Sequence, residues 1–101
     1  MKFFCIGDAD TVAGFRLAGI AAQTATTREQ TRAAVEDIAA QPQYGVIIIT
    51  ERLADGIRPQ IEAMRIERER PLIVEIPGPE GPLPGRKSLR EFVQEAVGMR
   101  I

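Results

Sequence analysis

The 101-residue sequence contains no histidine and no tryptophan, and Ser88 is its one serine. Without an imidazole, Ser–His–Asp and Cys–His constellations cannot be assembled. The usual zinc ligand sets, which draw on several Cys and His, are equally out of reach. Cys5 is the single cysteine, so no disulfide can close within the chain, and a reducing compartment is expected. Long hydrophobic runs are missing too. The longest strictly aliphatic stretch is Val46 to Ile49, against roughly 20 residues for a bilayer span. The opening run Met1-Lys2-Phe3-Phe4-Cys5-Ile6 gives way at once to Gly7-Asp8, too short for a signal peptide. The expectation is a cytoplasmic protein with no direct membrane insertion, peripheral to a membrane only through another protein.

An excess of charge of either sign is also lacking: 13 Lys+Arg stand against 14 Asp+Glu. No basic surplus draws the chain to phosphate backbones or anionic lipid, so no nucleic-acid partner is expected. Asparagine is absent and eleven of the thirteen basic residues are Arg. Depletion of thermolabile Asn fits a thermophile, and a GC-rich genome gives the same bias.

What is present suits one compact domain, with 45% apolar residues to fill one core. Gly45-Val46-Ile47-Ile48-Ile49-Thr50 and Pro71-Leu72-Ile73-Val74-Glu75-Ile76 are β-branched runs bounded by turn formers, and Phe3 to Gly7 is a third of the kind. Continuous rather than alternating apolar runs suit parallel strands covered on both faces. Ala22 to Thr26 is a weaker fourth strand, at an edge. Between them lie helical patterns. Val12, Phe15, Ala18 and Gly19 share a face of the first helix, with Asp10 or Thr11 as its N-cap. Gly14 and Gly19, costly in a helix, are expected to permit close packing on the sheet. Thr31, Ala34, Val35 and Ile38 mark the second helix, residues 28–40. Leu53, Ile57, Ile61 and Met64 mark the third, in which Pro59 should introduce a kink or delay the start. Arg58/Glu62 and Glu62/Arg65 read as an ordinary solvated face.

From Pro77 to Gly85 four prolines and three glycines crowd together, which forbids helix and central strand alike. Ser88-Leu89-Arg90-Glu91 then forms a capping box for a last helix carrying Leu89, Phe92, Val93, Ala96 and Val97, with Gly98 as its C′ residue. The organisation is therefore an α/β core over 1–76, a Pro/Gly-rich connector over 77–87 and a C-terminal helix over 88–101. The alternation predicts a four-stranded parallel sheet, order 2-1-3-4, with helices on both faces, Rossmann-like or flavodoxin-like.

Ligands of such sheets bind at the carboxyl ends of the strands. Gly7-Asp8-Ala9-Asp10-Thr11 has one glycine where a dinucleotide loop needs three, and its two carboxylates repel phosphate. A receiver-like phosphoacceptor would use Asp8 and Asp10 to hold Mg²⁺, but Thr50-Glu51 stands where its aspartate belongs and no fifth strand carries its lysine. A degenerate receiver-like ligand-binding or signalling domain remains the alternative reading. Cys5 sits inside a strand and reads as a small buried hydrophobe rather than a phosphocysteine. Asp10 can cap the first helix, and both Asp8 and Asp10 benefit from its N-terminal dipole. No catalytic residue, cofactor or metal is expected.

The stretch Gly7-Asp8-Ala9-Asp10-Thr11-Val12-Ala13-Gly14-Phe15-Arg16-Leu17-Ala18-Gly19 resembles the N-terminal signature of the F subunit of the A-type/V-type rotary ATPases. The resemblance continues, colinearly, at Ile47 to Ala54, at Pro71 to Gly78 and at Arg90 to Gly98. Gly56 and Pro59 depart from the family pattern early in the third helix.

The resemblance implies a non-catalytic central-stalk (rotor) subunit of an ATP synthase. Such a protein binds the coiled-coil D subunit of the stalk and turns with it. It also meets a stalk subunit on the rotor-ring side, and touches the catalytic head transiently through a mobile C-terminal part. It couples or regulates ATP synthesis or hydrolysis with proton or sodium transport. The expected contact surfaces are edge strand 4 or strand 2 and the loops at the strand ends, with Arg16, Glu51 and Arg52 as partner contacts on the rim there. The apolar stripe Leu89, Phe92, Val93 and Val97 adds an anchor for the core or for a partner helix.

Overall fold

The structure, a computed structural model, describes residues 1–79 and Gly81. The strand-forming runs become β1 (Lys2–Gly7), β3 (Tyr44–Thr50) and β4 (Leu72–Ile76), joined by the short β2 (Ala21–Thr24). All pairings are parallel and the order is β2-β1-β3-β4. The helices are α1 (Ala9–Leu17), α2 (Arg28–Ala39), α3 (Glu51–Gly56) and α4 (Arg58–Glu67).

Three expectations are corrected. Asp8, not Asp10 or Thr11, caps α1: its carboxylate accepts from the Thr11 amide at 3.1 Å and the Thr11 hydroxyl at 2.6 Å. The cap lies upstream of both because β1 runs into the helix with no intervening loop. Pro59 delays a helix start as expected, and the third helix is in consequence two. Pro59, lacking an N–H, fits the first turn of a helix and not its interior. The chain therefore breaks at Ile57 (φ −127°, ψ 33°) and α4 starts afresh with Pro59 in its opening turn. Gly14 and Gly19 pack against nothing within 4 Å. Gly19 instead holds φ +84° as the residue just past α1, where Ile20 N–H reaches back to Phe15 O at 3.0 Å in a Schellman closure. Ala18, expected on the buried face, is exposed for the same reason.

α2 forms as expected, with Thr27 Oγ1 accepting from Gln30 N–H at 3.1 Å. Gln30 Oε1 in turn accepts from Thr26 N–H at 2.9 Å, a reciprocal arrangement close to a capping box. After β4 the chain turns at Gly78–Gly81, where Gly81 N–H donates to Gly78 O at 3.0 Å. The expected C-terminal helix over 88–101 and most of the 77–87 connector lie outside the described residues.

Right-handed crossovers place α2, α3 and α4 on one face of the sheet and α1 on the other. The first face holds the main core: Phe4, Ile6, Ile47, Ile49 and Ile73 from the strands meet Val35, Ile38, Ala54, Ile57, Ile61 and Met64 from the helices. Phe4 and Tyr44 stack edge to face, with ring centroids 5.1 Å apart. The second face has the smaller cluster Cys5, Val46 and Ile48, flanked by partly buried Phe15, Ala22, Val74 and Ile76.

Candidate functional site: the strand-end cleft and the sheet's second face

The carboxyl ends of β1 and β3 flank the point where successive crossovers diverge, the customary ligand position in such sheets. A cleft of about 220 Å³ opens there, lined by Asp8, Ala25, Thr26, Thr50, Arg52, Leu53 and Gly78. Its chemistry is limited. Both Asp8 oxygens are engaged by Thr11. Partial burial pushes this carboxyl up, but the hydrogen bonds from the Thr11 hydroxyl and amide outweigh burial and hold it below the usual carboxylate range. Asp10 is exposed on the first turn of α1. Cys5 is fully buried; burial, and then the Asp8 charge, push its thiol up to about 11, far from a reactive thiolate. Among the described residues no group of three or more His, Cys, Asp and Glu gathers for a metal. The cleft offers hydroxyls and one guanidinium, with no nucleophile–base pair.

The residues expected to make partner contacts fall in different settings. Arg52 lines the cleft and is exposed. Glu51, expected on the rim, is buried at 5% exposure as the first residue of α3, because the β3–α3 junction tucks it beneath the strand ends. Arg16 is exposed in the last turn of α1 and donates through Nη2 to Ala22 O at 2.9 Å. Leu89, Phe92, Val93 and Val97 lie outside the described residues.

The structure adds a charge cluster that the chain-local pairing of Arg58, Glu62 and Arg65 did not suggest. Glu75 of β4 takes both Arg58 guanidinium nitrogens, Nη1 to Oε2 at 2.5 Å and Nη2 to Oε1 at 2.8 Å. Arg65 Nη2 reaches Oε2 at 3.2 Å, and Asp55 also pairs with Arg58. Hydrogen bonding to Arg58, outweighing partial burial, holds the Glu75 carboxyl below the usual glutamate range. The same contacts raise Arg58 above its ordinary value. The available signal was Glu75 itself, the one charge inside Leu72-Ile73-Val74-Glu75-Ile76.

On the α1 side of the sheet, one row crosses from Phe3 through Val46 to Leu72 and the next from Cys5 through Ile48 to Val74. Phe3 is 47% and Leu72 61% exposed. Among the described residues α1 is the one helix packed on this side, over β1 and β2. Val46 and Ile48 are nevertheless buried and Val74 and Ile76 partly buried, so the exposed apolar area is that of Phe3 and Leu72, near the starts of β1 and β4. No described helix is long and apolar enough to cross a membrane.

Together these features define a small doubly wound α/β domain. A family model described as ATP synthase (F/14-kDa) subunit matches residues 4–93. The F subunit of the A-type ATP synthase of Thermococcus sibiricus is 38% identical over 106 aligned residues, taking in 100% of this chain and 98% of its own. That of Pyrococcus abyssi is 37% identical over 108, with the same coverage, and that of Methanococcus vannielii 35% over 103, covering 100% and 99%. The crystal structure of the F subunit of the V-type ATP synthase from Archaeoglobus fulgidus superposes with a TM-score of 0.61 at 29% identity, covering 74% of this chain and 95% of that one. The chain belongs to the family of ATP synthase F subunits. It is accordingly a component of an A/V-type ATP synthase and not an enzyme by itself.

Proposed function

We propose that the chain is a rotor component of the central stalk, held by the coiled-coil D subunit and turning with it, and that it helps to couple ATP synthesis or hydrolysis to proton or sodium transport. Family membership across residues 4–93 carries the reading. Physical features support it. A parallel sheet with a close-packed core on one face is stiff, as a part that transmits contacts under torque must be. Its other face exposes the apolar side chains Phe3 and Leu72, and an exposed apolar patch suits a docking surface. Arg52 at the strand ends and the stripe Leu89, Phe92, Val93 and Val97 supply the polar rim and the anchor toward partners. The stripe meets the catalytic head transiently. A stalk subunit on the rotor-ring side completes the assembly, which keeps the chain cytoplasmic and peripheral to the membrane. Glu51, the third residue expected on the rim, is buried at the start of α3 in the isolated chain.

Co-expression with the D subunit followed by size-exclusion chromatography tests this. The expected result is a single co-eluting complex. A folded chain that elutes alone beside an intact coiled-coil partner would refute the reading.

A further inference from the structure

Both margins of the sheet carry the same device, built from unrelated parts of the chain. At the β2 margin, Ala25 N–H donates to Gly7 O of β1 at 3.1 Å. Successive residues of a parallel strand turn their backbone groups to opposite sides, so Gln23 faces β1 and Ala22 faces outward. The outward Ala22 carbonyl is taken by Arg16 Nη2 at 2.9 Å, reaching across from the last turn of α1. At the β4 margin, Ile73 O accepts from Arg65 Nη2 at 3.0 Å. The same guanidinium also rests on Glu75 Oε2 at 3.2 Å, so it is fixed on both sides. A guanidinium has donors only. An incoming strand that needs these carbonyls meets donors already seated and a positive charge beside them. The strands are also curtailed: β2 has four residues, and β4 is bracketed by Pro71 and Pro77, neither of which has an N–H to offer a neighbour. Short length, flanking proline and a basic side chain are the recurrent means by which sheets avoid edge-to-edge pairing.

We infer that both edges of the sheet are closed to strand addition, each by one arginine, so that the axle protein is received on a face or a helix surface and never by β-augmentation. The second half of this inference rests on the reading given under Proposed function; the first half stands on the isolated chain. It assigns Arg16 to the sheet margin instead of the partner contact.

The test uses the full chain with Arg16→Met, Arg65→Met and both together, since Met keeps the apolar stem and removes the donors. Sedimentation velocity over rising concentration reads self-association, circular dichroism confirms the fold, and titration with the coiled-coil D subunit reads partner affinity. The double variant is expected to self-associate about ten-fold more strongly than the unaltered chain, with affinity for the coiled-coil partner unchanged within about two-fold. Should Arg65→Met perturb folding through Glu75, Arg16→Met alone carries the test, because that side chain is exposed. Unaltered self-association in folded variants would overturn the closed edges. A loss of about ten-fold or more in partner affinity for Arg16→Met would overturn them differently, by making the β2 margin the docking site. If the unaltered chain fails to bind the coiled coil, the stalk reading falls while the self-association result still decides whether the edges are closed.

Discussion

The two faces of this sheet come from the same strands yet do opposite things. Toward α2, α3 and α4, the inward residues Ile6 of β1 and Ile47 and Ile49 of β3 are sealed at 0% exposure, Ile73 of β4 is at 4%, and Ile61 of α4, packed on them, is also at 0%. Toward α1, the alternate residues of the same strands run from fully buried Cys5 to Leu72 at 61% exposure. The difference follows from topology. With order β2-β1-β3-β4, two crossovers deliver helices to one face and one crossover delivers α1 to the other. A strand has period two, so one stretch such as Val46 to Ile49 supplies both faces, Ile47 and Ile49 at 0% exposure on one and Val46 and Ile48 at 8% on the other. The first face is the main core of the fold, and the second is sealed at its middle and exposed at Phe3 and Leu72.

The largest test of that contrast is truncation on each face. Ile61→Ala empties a site enclosed on all sides and is expected to cost about 2–5 kcal/mol in urea or thermal unfolding. Val74→Ala, half-buried on the α1 side, should cost about 1 kcal/mol, by area alone. Equal losses would break the distinction by showing the second face to be closed in solution.

A smaller effect sits at the β4 margin of the sealed face. Glu75→Gln keeps the shape and removes the charge that both Arg58 nitrogens and Arg65 share. These partners are partly exposed, so the loss at neutral pH is expected to be about 1–2 kcal/mol. The pH dependence gives its signature. Because the folded carboxyl lies below its ordinary value, the unfolded chain takes up the proton first. The stabilisation is therefore whole above the ordinary glutamate value of about 4.3 and drains away as pH falls through the folded one. Urea midpoints measured from neutral pH down into the acid range should fall less steeply for Glu75→Gln. Asp8, lowered by Thr11, contributes a like-signed slope that the variant retains. Parallel curves for the two chains would show that the Arg58–Glu75 contact adds no net stability.

How much of this the sequence carries depends on how local each cause is. The runs at Phe3, Val46 and Leu72, the Pro59 interruption and the strand order all follow from periodicity, turn residues and crossover handedness, and all appear in the fold. The Arg58–Glu75 contact joins residues 17 apart in sequence, and a pairing set by tertiary packing leaves no mark in helix spacing beyond one misplaced charge. The burial of Glu51 was equally hidden, because a charged residue just after a strand looks like a rim residue until the strand–helix junction is in place. The Asp8 cap was missed by less than a turn, since Asp8, Asp10 and Thr11 are all competent caps and only the backbone chooses among them. Of the residues expected to meet partners, Arg16 donates to Ala22 O beside the β2 margin and Arg52 lines the cleft.

The smallest effects belong to α1, the one described helix on the less sealed face, and they sharpen the contrast by their signs. Gly14 lies mid-helix with open space where a Cβ would stand. Alanine there restricts the unfolded chain and meets no obstacle, so Gly14→Ala is expected to stabilise by about 0.5–1 kcal/mol. Gly19 holds φ +84°, a conformation that a Cβ makes costly, so Gly19→Ala is expected to destabilise by about 1–2 kcal/mol although it too touches nothing. Two glycines five residues apart thus separate conformational strain from packing, and thermal midpoints moving in opposite directions are the observable. If both substitutions destabilised equally, close packing on the sheet, as the bare sequence suggests, would be restored as the reason for both glycines, and α1 would cover its face more tightly than the structure describes.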